Sequence, residues 1–314
     1  MQLVSIPENP APEDVVTGSL KTSDGIALRF ARWAPPQGRK GTIVLLHGRA
    51  DFIEKYFETV RELRDRGFAV ATIDWRGQGL SARMLRDRSK GHVRSFAEYD
   101  RDLDTLMREV VLPDCPPPYF AIGHAMGASV LIRAAHQGRR WFDRVVLASP
   151  MVGLERRRLL RFANPLVQMM CLAGMRGAPV PNSEAGPVAL RPFDRNALTS
   201  DPNRHARTAA IVRAEPKLGI GAPTVGWARA ALRVIGEFGQ PGYGLRIRQP
   251  MVLIAAGHDE VVSTQAIENF AMNLRAGSHL MVPGARHELL MEQDRFRAQF
   301  WAAFDSFVPG TSGY

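Results

Sequence analysis

Six apolar runs separated by helical patterns constrain this chain more than any other feature. They are "GTIVLLHG", "FAVATIDWRG", "YFAIGH", "RVVLASPM", "QPMVLIAAGHDE" and "SHLMVPG". Their Val, Ile, Leu and Ala stretches are unbroken rather than alternating, so both faces of each strand must be covered, as in a parallel sheet flanked by helices. The segments between them have helical periodicity. "EKYFETVRELRDRG" places Tyr56, Phe57, Val60 and Leu63 on one face and stops at Gly67, and "SFAEYDRDLDTLMREVV", "AMGASVLIRAAHQG", "STQAIENFAMNL" and "QDRFRAQFWAAFDSF" behave alike. Ahead of them, "GSLKT" and "IALRFARW" flank an Asp24-Gly25 turn and read as a hairpin. The expected fold class is α/β, a mostly parallel twisted sheet with helices on both faces.

This rhythm fails between about Val152 and Gly244, where proline, glycine and arginine interrupt several candidate helices. A chain of 314 residues is long enough for one large core plus an insertion. The expected organisation is a core built from 1–150 and 245–314, with a helical cap at 151–244. Most of the net positive charge sits there too: the cap carries 13 basic and 6 acidic residues, a net +7 of the +10 of the whole chain. No recognised nucleic-acid-binding module accompanies that charge, so nucleic acid is not expected as a partner.

Two cysteines, Cys115 and Cys171, cannot form a disulfide framework or a metal cluster, and the eight histidines include no His-x-x-x-His pair. No metal and no organic cofactor is therefore expected. The start "MQLVSIPENPAPEDVV" lacks the features of a secretory signal, and no later run is long enough to span a bilayer. The expected location is the cytoplasm.

Gly123, His124, Ala125, Met126 and Gly127 lie at a strand-to-helix junction, the setting of the nucleophile elbow G-x-S-x-G, with alanine where the nucleophile belongs. Asp259 follows the strand "MVLIAAG" and His287 follows "HLMVPG", giving the order elbow, acid, base. In such an arrangement the histidine takes the nucleophile's proton, and the carboxylate fixes its tautomer. Glu260 competes with Asp259 as the acid. His258 and His279 compete with His287, which is better placed on a loop past a strand end. Ser129 lies one helical turn beyond the elbow and would point away from the shared site. His47 is read as a loop-shaping residue, Asp74, Arg76 and Gly77 as loop organisers, and Asp102 and Asp104 as polar-face residues of a helix.

Together "LLHGRADFIEKY", "IDWRGQGLSAR", "GHAMGA", "AAGHDEVV" and "PGARHELLMEQD" resemble the lysophospholipase and monoacylglycerol lipase branch of the α/β-hydrolases. The stretch "NALTSDPNRHARTAAIVRAEPKLGIGAPTVGWARAAL" resembles the cap of bacterial lysophospholipase-like members. The resemblance implies an α/β-hydrolase fold and a catalytic triad of Ser at position 125, Asp259 and His287. It also implies an oxyanion hole made by the backbone N–H groups of Arg49 and Met126. The implied activity is hydrolysis of acyl esters, with a monoacyl glycerolipid or lysophospholipid as substrate. Dehalogenases and epoxide hydrolases share the fold but use an aspartate at the elbow, and alanine supports them no better.

Alanine has no lone pair with which to attack, so this exact chain is expected to bind substrate and be nearly inert. Both a deliberate Ser-to-Ala exchange and a natural pseudoenzyme that binds a lipid or a partner fit that expectation. In the cap, "LLRFANPLVQMMCLAGM" offers flexible apolar side chains for an acyl chain or for ordinary packing. Arg156, Arg157, Arg158 and Arg161 beside it suit peripheral contact with an anionic membrane surface.

Overall fold

The computed structural model describes residues 2–35, 40–155 and 157–308, with the side chains of 157–164 outside the description. In chain order the elements are β1 (Val15–Lys21), β2 (Ala27–Trp33), β3 (Thr42–Leu46), α1 (Phe57–Asp65), β4 (Ala69–Ile73) and α2 (Ala97–Leu106). A π turn over Met107–Val111 carries α2 into the short α3 (Leu112–Asp114). Then come β5 (Tyr119–His124), α4 (Met126–His136), β6 (Arg144–Ala148), α5 (Arg157–Leu172), α6 (Pro202–Ala214) and α7 (Val225–Phe238). The chain closes with β7 (Met251–Ala256), α8 (Thr264–Met272), β8 (Gly277–Val282) and α9 (Asp294–Phe307).

All eight strands form one sheet in the order β1-β2-β4-β3-β5-β6-β7-β8. β2 is antiparallel to both β1 and β4, and every other pair is parallel. Successive side chains of a strand alternate between faces, so each buried run feeds two separate cores. On β7, Met251, Leu253 and Ala255 join the core under α2, α4 and α8, while Val252, Ile254 and Ala256 join the one under α1 and α9. β3 divides in the same way, with Val44 and Leu46 on one face and Ile43 and Leu45 on the other. The strand order reverses beside β3, which places the loops after β3 and β5 next to each other at the carboxyl edge. Such a switch point is where open α/β sheets bind ligands.

Charge is buried where the hairpin meets the sheet. Arg29 on β2 is fully buried with Glu54 and Asp74. Its guanidinium donates to both Glu54 carboxylate oxygens, at 2.6 and 2.8 Å, and through Nε to Asp74 Oδ2 at 2.7 Å. Asp74 also accepts the backbone N–H groups of Ile53 and Leu80, which shapes the loops after β3 and β4.

Asp102 corrects the sequence reading. It does not lie on a solvated face of α2 but is wholly buried, accepting from Arg76 Nε at 2.8 Å and from the Arg76 backbone N–H at 3.2 Å. Burial pushes its carboxyl up to about 6, with Arg76 pulling the other way. Arg76 also reaches Asp24 at 2.7 Å, so one guanidinium ties the hairpin turn to α2. Asp104 remains near the surface, paired with Arg139 at 2.7 Å.

Candidate active site

β5 ends at His124, and Ala125 then adopts φ 46° and ψ −107° before α4 begins at Met126. A non-glycine residue at positive φ costs about 1–3 kcal/mol and persists only where its surroundings impose it. They do so here. The Ala125 N–H donates to Ala148 O at 3.0 Å, and its carbonyl accepts from Ser129 and Met151, each at 3.2 Å. The glycines on either side follow from space alone. A Cβ on Gly123 would lie 2.7 Å from the Ala128 Cα, and one on Gly127 would lie 2.4 Å from the Leu46 carbonyl oxygen.

Opposite the elbow, the loops after β7 and β8 bring two side chains together. His287 Nδ1 lies 2.8 Å from Asp259 Oδ2. The other Asp259 oxygen accepts the backbone N–H groups of Val261 and Val262 at 2.8 and 2.9 Å, which holds the carboxylate in place. Burial favours neutral forms of both groups, but the pair outweighs it. Asp259 is held below the usual carboxylate range, and His287 above the ordinary imidazole value. The rivals do not form this pair. Glu260 lines the same cavity but lies 3.8 Å from the exposed His258, and His279 sits on β8 itself. The Ser129 hydroxyl is buried and donates to Met151 O at 2.9 Å.

Arg49 lies in the loop after β3 and Met126 at the first turn of α4. Among the described residues, neither backbone N–H donates to a protein acceptor. Gln78, buried and overlooked in the sequence, braces both: its Oε1 accepts from the Ala50 N–H at 2.7 Å, and its Nε2 lies 3.6 Å from Met126 Sδ. The only signal for it was its place in "DWRGQG". His47 Nδ1 contacts Gly48 O at 2.8 Å, and its carbonyl accepts from Trp75 Nε1 at 2.9 Å, a loop-shaping arrangement.

A cavity of about 580 Å³ is lined by Ala125, Met126, His124, His287 and Arg49 together with apolar residues of the insertion. Its far wall is α7, through Trp227, Ala228, Ala231 and Leu232. The sequence offered the apolar run at the start of the insertion for an acyl chain or for ordinary packing. That run forms α5, whose Leu166, Met169 and Leu172 are exposed, and none of its described residues lines the cavity. The side chains of Arg156, Arg157, Arg158 and Arg161 lie outside the described residues.

Beneath His287, Lys55 Nζ lies 2.6 Å from both Asp51 Oδ1 and Glu288 Oε1. Asp51, Glu288 and His124 present potential metal-ligand atoms within 4.8 Å of one another. The Lys55 ammonium already engages both carboxylates of this group. Burial, then the neighbouring His287, pushes His124 down to about 3, so it is neutral at ordinary pH.

Residues 37–294 match the family model described as Hydrolase_4, serine aminopeptidase S33. The chain belongs to this family. Within Hydrolase_4, it is 30% identical over 284 residues to lysophospholipase L2 of Escherichia coli K12, covering 88% of this chain and 82% of that one. A monoacylglycerol lipase of Mycolicibacterium smegmatis is 23% identical over 274 residues, covering 86% and 89%. The fold matches a soluble variant of monoglyceride lipase from Saccharomyces cerevisiae with TM-score 0.73 and 17% identity, over 93% of this chain and 96% of that one. A carboxyl esterase from Bacillus coagulans superposes with TM-score 0.75 at 17% identity, over 95% and 98%. This Hydrolase_4 chain therefore has the α/β-hydrolase fold, and its curated relatives carry the names of lipid ester hydrolases. No described helix is long and apolar enough to cross a membrane.

Proposed function

We propose that this chain is a serine-hydrolase scaffold for acyl esters of monoacyl lipids, in which alanine occupies the nucleophile position. The observation that carries the reading is the Ala125 backbone, held in a strained turn within the same cavity as a buried Asp259–His287 pair. Residues 151–244 act as the cap over that cavity. As it stands, the chain binds its ester and turns it over very slowly.

With serine at 125, the chemistry runs as follows. The hydroxyl attacks the ester carbonyl while His287 Nε2 takes its proton, and Asp259 stabilises the imidazolium through Nδ1–H. The oxyanion is met by the N–H groups of Arg49 and Met126. His287 then protonates the leaving alcohol, and an acyl-enzyme remains. Water, deprotonated by His287, releases the fatty acid and restores the hydroxyl. A fluorophosphonate probe is expected to label Ala125→Ser and leave the unmodified chain untouched. Equal labelling of both would place the nucleophile elsewhere.

The pH dependence has a definite sign. His287 must be neutral to accept a proton, and Asp259 holds its pKa above the ordinary value of about 6.5. The kcat/KM of Ala125→Ser should therefore rise with pH through a midpoint above 6.5. Stability runs the other way: the contribution of a raised histidine is complete below its unfolded pKa and is lost as pH climbs through the folded one. An acid limb at or below 6.5 would remove His287 as the base.

The exposed face of α5, with Leu166, Met169 and Leu172, supports peripheral contact with lipid surfaces. In the sequence, the arginines at 156–158 and 161 precede these apolar residues. Binding to vesicles should increase with their phosphatidylglycerol content and weaken with salt. Binding indifferent to both would leave no role for this face in steering.

A further inference from the structure

We propose that Arg49 and Arg191 form a headgroup subsite, selecting a monoacyl lipid whose glycerol carries a phosphate over one whose glycerol is free. The inference rests on the ester-hydrolase reading and names the polar end of its substrate.

Arg49 is half-buried, and it is set apart from the buried arginines. Arg29, Arg76 and Arg297 each have carboxylate partners, as do the largely buried Arg133 and Arg204. Among the described residues, no carboxylate lies within ion-pair distance of Arg49. Its Nη2 donates to Gly221 O at 2.7 Å, its Cζ lies 5.2 Å from the centre of the Trp227 ring, and its buried Nε has no hydrogen-bond partner. Partly withdrawing a cation from water without a counterion is unfavourable, so an anion reaching this guanidinium would be favoured. Burial, with repulsion from Arg191, pushes Arg49 down to about 10, which still leaves it charged at neutral pH.

The surroundings show where that anion would sit. Beside the main cavity is a smaller chamber of about 150 Å³, and the two share Arg49 and Arg191 in their walls. The small chamber is also lined by Lys55, Arg195 and Arg204, with the carboxylates of Asp51 and Glu288; Arg204 is already committed to Glu58, Asp201 and Asp294, which leaves Arg195 as the further cation without an ion pair among the described residues. Both of those carboxylates are already engaged by Lys55 at 2.6 Å. Among the described residues, Arg191 is paired only with Glu184, an exposed residue, at 2.9 Å. The large chamber is mainly apolar, and the small one carries excess positive charge. A lipid with its ester at Ala125 can place its alkyl chain in the first and an anionic headgroup in the second. The guanidinium fork matches phosphate oxygens in shape and charge, whereas a bare glycerol would leave Arg49 without a counterion.

The test uses the unmodified chain, which holds substrate without rapid turnover. Calorimetry below the micelle concentration compares 1-lauroyl-lysophosphatidylglycerol, 1-lauroylglycerol and inorganic phosphate. The lysophospholipid should bind about tenfold or more tighter than the monoacylglycerol, since charge-assisted hydrogen bonds are the stronger class. Arg49→Gln and Arg191→Gln should each reduce that ratio by about tenfold. Should Arg49→Gln fail to fold, as thermal unfolding would show, Arg191→Gln decides alone. A ratio near one in the unmodified chain, or one that neither substitution moves, overturns the subsite. Phosphate binding as tightly as the lysophospholipid would also overturn it, revealing a site for free anions. Ala125→Ser separates the two readings. Hydrolysis of both lipids, with a ratio insensitive to Arg49 and Arg191, rejects the subsite alone, whereas hydrolysis of neither rejects the ester reading beneath it.

Discussion

Ala125→Ser should raise kcat toward a monoacyl ester by about 10^5- to 10^6-fold, the scale on which removal of a serine nucleophile is felt in hydrolases. The size of the effect follows from how little else has to change. The backbone at 125 already has φ 46° and ψ −107°, the Asp259–His287 hydrogen bond is formed at 2.8 Å, and the Arg49 and Met126 N–H groups have no protein acceptor among the described residues. One oxygen is added on a Cβ that is already present. Because serine tolerates the turn no worse than alanine, the thermal unfolding midpoint should stay within a degree or two. Hydrolysis of lysophospholipid, monoacylglycerol and a short p-nitrophenyl ester would be measured in parallel. A folded Ala125→Ser that gains nothing on any of them would show that the Asp259–His287 pair does not serve an ester.

Glu54→Ala should cost about 3–5 kcal/mol of folding stability, measured by urea unfolding, because it strands a buried charge. Arg29 has no exposed surface, and Glu54 supplies two of its hydrogen bonds, at 2.6 and 2.8 Å. Asp74 alone cannot match a guanidinium that presents a fork to each partner. The same substitution removes the acceptor of the Val4 N–H at 3.0 Å, which loosens the start of the chain from the loop after β3. Since Arg29, Glu54 and Asp74 lie outside the cavity lining, the loss should appear as stability rather than as a change in lipid affinity. A cost below about 1 kcal/mol would mean that water reaches Arg29 and screens it.

What was readable in the sequence follows the range of the interactions involved. Strands β3 to β7 announced themselves because a strand covered on both faces must be apolar along nearly its whole length, a property of five or six consecutive residues; β8 departs from that expectation, being an edge strand exposed or half-buried from Gly277 to Met281. The elbow was readable for a similar reason: the collisions facing Gly123 and Gly127 demand glycine, and the demand is visible at fixed spacing. Arg29 and Glu54 gave no such signal. They come from separate segments, and nothing local distinguishes their charges from solvated ones, whereas Asp74 stood out through its place in "DWRGQG" and does organise the loops there. Asp102 was misjudged on that account, since α2 carries acidic residues on both its inner and outer sides and only Arg76, from another loop, marks which is which. The insertion was the least legible. Its apolar content made α5 one candidate for the wall of the cavity, but that wall is α7, because hydrophobicity alone does not say which helix a chain lays across a sheet.

The turn at Ala125 keeps its shape with no hydroxyl to hold it. Its contortion is imposed by Ala148, Ser129, Met151 and the two tight glycines, none of which touches a reacting atom. The elbow is thus a socket moulded by the sheet, whatever side chain stands in it. If the proposed role of position 125 holds, one codon would suffice to switch the chemistry off or back on, while the mould stays unchanged.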